Sequence, residues 1–236
     1  MQPNPGTVYL LPAPLHEDAL QAIPAYVASA VRECAVYFAE NERTARRYMK
    51  KLVPDLVIDR HEWVTIGQAG PEVSALFRQR VREGKVVGLI SEAGSPCIAD
   101  PGQALVAIAQ EEQARIRPLA GPNSILLALM ASGMNGQHFR FTGYLPIRDQ
   151  ERSRAIRELE SESRKRDCTQ IFIETPYRND QLLAALIATC QASTRLCIAM
   201  ELTGPGEWIR TLPIGEWKKS PPSLHKRPAI FLLHAG

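Results

Sequence analysis

A short apolar run, Val86 to Ile90, breaks into Ser91-Glu92-Ala93-Gly94-Ser95-Pro96 and then into Asp100-Pro101-Gly102 ahead of a second apolar segment. The run has the length and residue types of a buried strand. The small residues after it let a ligand approach the backbone, and Gly94 permits dihedrals closed to other residues. Asp100 is suited to cap a helix and Pro101 to occupy its first turn. Strand, small-residue loop and capped helix together make a crevice at the carboxyl end of a parallel strand, where open α/β sheets bind ligands. The same pattern also describes an ordinary strand-to-helix connection, so its weight depends on how many similar stretches the chain holds.

The surrounding sequence supplies them. Thr7 to Leu11 reads as a first buried strand closed by Pro12-Ala13-Pro14, with a helix expected from about Glu17. Ala35 to Ala39 is a second strand, the basic segment Thr44 to Leu52 a helix, Leu56 to Asp59 a short third strand, and Pro71 to Glu83 a helix stopped by Gly84. After the central loop come a helix over Gln103 to Gln113, a strand over Ile116 to Leu119, and Gly121-Pro122 before an apolar helix, Ile125 to Ala131. Asn123 or Ser124 caps that helix, and such an N-terminus can hold an anion. Strands alternating with helices predict a mostly parallel sheet with right-handed crossovers.

Beyond that point the spacing changes. Strands are expected at Phe139 to Thr142, Ile171 to Thr175, Arg195 to Leu202, Glu207 to Leu212 and Ala229 to His234, the last three with short connections. The charged helix from Glu151 to about Arg166 offers only Ala155, Ile156 and Leu159 to a core and reads as a solvated face. A mixed, partly antiparallel sheet suits this half. The expected architecture is α/β, with an N-terminal mostly parallel domain over 1–119 and a C-terminal mixed α/β domain over 120–236.

Composition narrows the function classes. At 236 residues, with 45% hydrophobic and 22% charged residues, the chain is that of an ordinary globular protein with room for a real core. A net charge of +3 neither demonstrates nor excludes nucleic-acid binding. No apolar run approaches the roughly 20 residues of a membrane span, and the first residues lack the basic and small-residue marks of a signal peptide, so a cytoplasmic protein without membrane partners is expected. The five cysteines form no CxxC pair and no zinc spacing with histidine, so neither disulfides nor a metal are expected; Cys97, in the central loop, reads as a small packing residue. GxGxxG, Walker, nucleophile-elbow and HExxH motifs are missing, which withdraws the usual support for dinucleotide binding and for P-loop hydrolysis.

What remains is a set of strand-end loops. In order, GTVYLLPAP (6–14), AENER (39–43), ISEAGSPCIADPG (90–102), AGPNS (120–124), FTGYLP (141–146), IFIETPYR (171–178) and MELT (200–203) resemble the tetrapyrrole methylase superfamily of S-adenosylmethionine-dependent methyltransferases. Within it they are most similar to the branch that 2′-O-methylates a ribose of small-subunit ribosomal RNA. That branch carries Ala-Glu-Asp-Thr-Arg, Ser-Asp-Ala-Gly-Thr-Pro, Gly-Phe-Leu-Pro, Glu-Ser-x-x-Arg and Glu-Leu-Thr at the corresponding places. The chain departs from it at Pro14-Leu15-His16-Glu17, Asn41, Glu42, Gly204 and Arg227-Pro228, on the acceptor side more than on the cofactor side.

The resemblance implies two α/β domains with S-adenosylmethionine in the cleft between them, and a homodimer. By it the cofactor touches Pro12, Ser91, Gly94, Ser95 and Ile98, and further along Ser124, Tyr144, Leu145 and Leu202, with the backbone at Pro228 and Ala229. Tyr144 can equally be a packing residue. Methyl transfer from a sulfonium is an in-line displacement, so alignment supplies much of the rate, and a ribose hydroxyl needs a base or a polarising group. Glu40, Arg43, Glu174 and Arg178 are the candidates. Glu174 and Arg178, four apart, can also form a purely structural pair, and Glu40 and Arg43 can be a capping carboxylate and a surface cation. Ribosomal RNA, or the small ribosomal subunit, is the expected partner. Arg46, Arg47, Lys50, Lys51 and the basic helix 152–166 could line a phosphate path, although such runs also fit solvated helix faces. A small tetrapyrrole-like acceptor, or S-adenosylmethionine binding without turnover, remain open alternatives.

Overall fold

Strands and helices alternate into two separate five-stranded sheets in the computed structural model, which describes residues 5–67 and 70–236. One unit ends at Asn123 and the other begins at Ser124. Among the described residues no helix is long and apolar enough to cross a membrane.

In the first unit, β1 (Thr7–Leu11), β2 (Val36–Ala39), β3 (Glu62–Thr65), β4 (Val86–Ile90) and β5 (Arg115–Pro118) run parallel in the order β3-β2-β4-β1-β5. Successive side chains point to opposite faces, so a central strand buried on both sides must be apolar throughout. Tyr9, Leu11 and Tyr37 meet α1 (Tyr26–Glu33) and α2 (Glu42–Leu52) on one face. Val8, Phe38 and Leu89 meet α3 (Pro71–Arg82) and α4 (Gln103–Glu111) on the other. β4 lies between β1 and β2, yet those two lead into helices on the first face and β4 into a helix on the second. Neighbouring strands whose exits diverge in this way open a crevice beyond their carboxyl ends.

The second unit begins with α5 (Ser124–Ser132) and holds β6 (Phe139–Tyr144), α6 (Asp149–Arg166), β7 (Thr169–Ile173), α7 (Asn179–Thr189), β8 (Arg195–Met200), β9 (Trp208–Pro213), α8 (Ile214–Lys219) and β10 (Ala229–His234). The sheet order is β6-β7-β10-β8-β9, with only β6 and β7 parallel to each other. Helices α6, α7 and α8 bury Ile156, Leu183 and Trp217 against Phe172, Phe231 and Leu233. The fold class expected from the sequence, a parallel α/β sheet followed by a mixed one, is the one observed.

Several element bounds differ from expectation, each for a physical reason. The third strand is not Leu56 to Asp59, where a 3-10 turn spans Ile58–Arg60; it is Glu62–Thr65, half-exposed at the sheet edge with Trp63 stacked on Tyr37. No helix runs from Glu17. Leu20–Ala22 forms a 3-10 turn, and α1 starts only after Pro24, which has no amide to continue a preceding helix. Asp100 does not cap α4, because Cys97 N and Gly102 N already donate to its two carboxylate oxygens, at 2.6 and 2.7 Å; Gly102 takes the N-cap position. β8 ends at Met200 rather than Leu202, since Glu201 turns to φ +45. Nor is α6 merely a solvated face. Arg152 is buried and donates to Ile147 O and Asp149, while buried Glu160 accepts from Gln191 N and Thr194 Oγ1.

Candidate functional site

Three loops meet beyond the carboxyl ends of β1, β2 and β4. Ala13, two residues past β1, pairs with Gly94 in both directions, Ala13 N donating to Gly94 O at 2.8 Å and Gly94 N to Ala13 O at 3.0 Å. Gly94 sits at φ +74, where an added Cβ would also press Leu15 Cδ2 at 3.1 Å. Glycine is the residue that this clip tolerates. Pro12 O accepts from Tyr48 Oη at 2.9 Å, tying α2 to the end of β1. Pro12 also lies flat against the backbone of Gly121: a Cβ there would stand 2.1 Å from Pro12 Cβ.

Ser91 is buried, and its hydroxyl donates to Ala93 O and Gly94 O at 3.2 and 3.4 Å, which curls the loop back on itself. Ser95 Oγ donates to Pro122 O at 3.4 Å. Beyond it Ile98 leaves 48% of its surface exposed, an apolar side chain without cover in this unit. Cys97 and Ala99 both hold positive φ, +69 and +61, at a cost of about 1–3 kcal/mol each. The Asp100 carboxylate bonds described above hold that shape. Burial raises the Asp100 pKa, the two amide bonds oppose the rise, and the charge of Glu40 adds to it. Burial and then Asp100 push the Cys97 thiol up to about 12, so it is a packing residue and not a nucleophile.

Glu40 lies in the loop after β2 and Arg43 in the first turn of α2. Glu40 N donates to Ile90 O at 3.0 Å, and Glu40 Oε2 accepts from Glu92 N at 2.9 Å, so the carboxylate is a strap across two strand ends. Asn41 caps α2 by accepting from Arg43 N and Thr44 N, and its amide donates to Glu92 Oε1. The Arg43 guanidinium is exposed and meets no acceptor among the described residues.

Between the loop after β1, helix α2 and residues 90–93 lies a pocket of about 290 Å³. Leu15, Leu20 and Ala45 give it apolar walls, Tyr48 lines it with its hydroxyl already committed to Pro12, and Arg47, Lys51, Glu17 and Glu92 bring charge to it. Of the residues expected to touch the cofactor or to act on the acceptor hydroxyl, Ser91 alone lines this pocket. The sequence reading placed Arg47 and Lys51 on a possible phosphate path, but it missed Tyr48 and the packing of Gly121 on Pro12. The spacing of Tyr48 one turn from Lys51 on a helix after a strand-end loop was the available signal.

In the second unit Ser124 heads α5. Tyr144 ends β6 with 59% of its surface exposed, after a bulge and Gly143 at φ +77, and Leu145 behind it is buried. Exposure removes core packing as the explanation of Tyr144. Glu174 and Arg178 form the pair that their spacing suggested. Arg178 Nη2 and Nε donate to Glu174 Oε1 at 2.6 and 3.1 Å, and Thr175 N donates to the same oxygen at 2.7 Å. The Glu174 side chain is 1% exposed and that of Arg178 30%. Leu202 is buried in the turn after β8, Pro228 O accepts from Glu201 N at 3.0 Å, and Ala229 opens β10. Arg227, one of the departures noted above, donates to both Glu201 carboxylate oxygens at 3.0 and 3.1 Å, which braces this turn. Among the described residues no cluster of histidine, cysteine and carboxylate side chains could hold a metal ion.

Known proteins resemble this chain over most of its length. The family described as Tetrapyrrole (Corrin/Porphyrin) Methylases matches residues 18–218. Ribosomal RNA small subunit methyltransferase I of Pseudomonas aeruginosa is 30% identical over 97% of this chain and 78% of its own. The protein of the same name from Escherichia coli O157:H7 is 33% identical over 65% of this chain and 54% of its own length. The chain spans about half the length of the first curated relatives that it matches. Among solved structures, a uroporphyrin-III C-methyl transferase from Thermus thermophilus complexed with S-adenyl homocysteine shares the fold at a TM-score of 0.59 and 16% identity, covering 97% of both chains.

Proposed function

Because the chain belongs to the tetrapyrrole (corrin/porphyrin) methylase family, we propose that it is an S-adenosylmethionine-dependent methyltransferase acting on a ribose 2′-hydroxyl of small-subunit ribosomal RNA. The observation that carries the cofactor assignment is the doubly bonded Ala13–Gly94 clip at the point where the exits of β1 and β4 diverge. It holds the Ser91–Ile98 loop to the segment after β1 at Gly94, where no side chain covers the backbone, and the apolar side chain of Ile98 in the same loop is exposed. That donor set fits the group: an adenine needs an apolar wall and backbone partners, and an amino-acid moiety needs small polar loops. Pro12, Ser91, Gly94, Ser95 and Ile98 would hold it, with Ser124, Tyr144, Leu145, Leu202 and the Pro228–Ala229 backbone as its further contacts. When bound, it supplies an electrophilic methyl on a sulfonium.

The chain's own residues then position the acceptor. Glu40, with one carboxylate oxygen on Glu92 N, fixes the β4 loop and is a positioning residue. Glu174 and Arg178 hold the turn after β7 in the same sense. Arg43, whose guanidinium is uncommitted among the described residues, is available to an acceptor phosphate. A cytoplasmic homodimer is part of the reading, and mass measurement in solution tests the dimer.

Calorimetric titration with S-adenosylmethionine and S-adenosylhomocysteine tests the cofactor assignment. One site per chain is expected, weakened at least tenfold by Gly94→Val. Folded protein that binds neither compound would contradict the proposal.

A further inference from the structure

The pocket beside α2 has a lining that points to a class of occupant. Its volume, about 290 Å³, lies at the bottom of the range of small-molecule sites, roughly 300–1,000 Å³. That volume suits one heterocycle with its sugar. The four basic residues of α2 beyond its first turn, Arg46, Arg47, Lys50 and Lys51, are also not equivalent. Arg46 is spent on Glu42, Asp59 and the face of Trp63. Lys50 donates to Leu56 O. Lys51 reaches Glu17 O only at 3.4 Å, and Arg47 has no hydrogen-bond or ion-pair partner among the described residues. Arg47 and Lys51, one helical turn apart, therefore stand side by side on the pocket with charge to offer.

The lining also includes the apolar Leu15, Leu20 and Ala45, and the Tyr48 ring is held by its bond to Pro12 O. Glu17 and Glu92 balance the two cations, so the pocket as a whole does not select a polyanion. Cations beside an apolar slot match a phosphate beside a base, with carboxylates to accept from exocyclic amines or ribose hydroxyls.

We propose that this pocket receives one unpaired nucleotide of the RNA acceptor, its base against Leu15, Leu20 and Tyr48 and its phosphates on Arg47 and Lys51. The inference rests on the RNA methyltransferase reading. It adds that the acceptor binds as single strand, because a base within a duplex cannot reach a pocket unless it leaves the stack.

The test uses a fluorescein-labelled oligoribonucleotide of about ten mixed nucleotides, single-stranded and as a duplex, titrated by anisotropy across a range of salt. Wild-type protein is expected to prefer the single strand. The double variant Arg47→Ala/Lys51→Ala should bind it about tenfold more weakly, with the slope of log affinity on log salt shallower by about 1.4, two single-strand phosphates at about 0.7 each. Leu20→Trp, which fills the slot without changing charge, should remove the preference for single strand over duplex. Each variant is scored only if it melts as wild type and still binds S-adenosylmethionine by calorimetry. Equal loss of single-strand and duplex binding in the double variant, or an unchanged preference in Leu20→Trp, overturns the pocket while leaving the cofactor reading intact. Failure to bind S-adenosylmethionine at all is instead the failure of the methyltransferase reading.

Discussion

Gly121→Ala puts one methyl group where the structure has no room for it. The new Cβ would stand 2.1 Å from Pro12 Cβ and 2.6 Å from Pro12 Cγ. Carbon atoms in favourable contact are about 3.5–4.0 Å apart, so the two segments must separate by about 1.5 Å. A proline ring cannot rotate out of the way, and Pro12 is not free to yield. Its carbonyl holds Tyr48, and the next residue, Ala13, carries the clip to Gly94. Overpacking of this kind costs about 1–3 kcal/mol. At about 2 kcal/mol, and 2–4 °C per kcal/mol for a chain of this size, the melting temperature should fall by about 6 °C. Because strain passes through Pro12 to the Gly94 loop, affinity for S-adenosylmethionine should fall at least tenfold. Gly136→Ala is the control, since nothing lies within 4 Å of its added Cβ, and both readouts should stay at wild-type values. Thermal melting with calorimetry decides. A Gly121→Ala protein that melts like wild type refutes the packing argument, and one that melts early but binds cofactor normally refutes the link from Pro12 to the site.

Further predictions concern charge. Arg178→Ala leaves the Glu174 carboxylate buried without its cation and should cost about 3 kcal/mol, whereas Glu174→Ala leaves an arginine that water can reach and should cost about 1 kcal/mol; denaturant midpoints of the two variants check the order. Cys97, held protonated by burial and Asp100 with a pKa near 12, should resist iodoacetamide at pH 8 in the folded protein and react once urea unfolds it. Burial and the charge of Arg195 lower the His234 pKa against a weaker pull from Asp167, so unfolding takes up a proton below the ordinary histidine value of 6.5. That contribution to stability is present above pH 6.5 and is lost as pH falls below it, which His234→Asn should abolish in melts at pH 7.5 and 5.5.

The parts of this molecule legible in its sequence are those that depend on local pattern. β1, β4 and β10 are apolar runs buried on both faces, and the helices after β1 and β4 carry apolar residues at helical spacing. The edge of the first sheet was not legible. Leu56, Val57 and Ile58 are apolar enough to suggest a strand, but the chain turns there and hands the edge to Glu62–Thr65, whose half-exposed residues need only one neighbour and the Trp63–Tyr37 stack. The strand-end loops were visible as small-residue breaks in order, and the Glu174–Arg178 pair as a spacing. What those loops touch was not visible, because contact between Pro12 and Gly121, or between Glu40 and Glu92, joins residues far apart in sequence. The basic run of α2 looked uniform for the same reason: only the positions of Glu42, Asp59 and Trp63 show that Arg46 is used up and Arg47 is not.

The central claim is methyl transfer to RNA, and one measurement addresses it directly. Purified protein is incubated with methyl-labelled S-adenosylmethionine and small ribosomal subunits from cells deleted for the corresponding gene, and the product RNA is digested to nucleosides. Label in a single 2′-O-methylated nucleoside, lost with Gly94→Val and strongly reduced with Arg47→Ala/Lys51→Ala, is the predicted result. Protein that binds S-adenosylmethionine yet leaves both the subunits and their naked RNA unlabelled would contradict it.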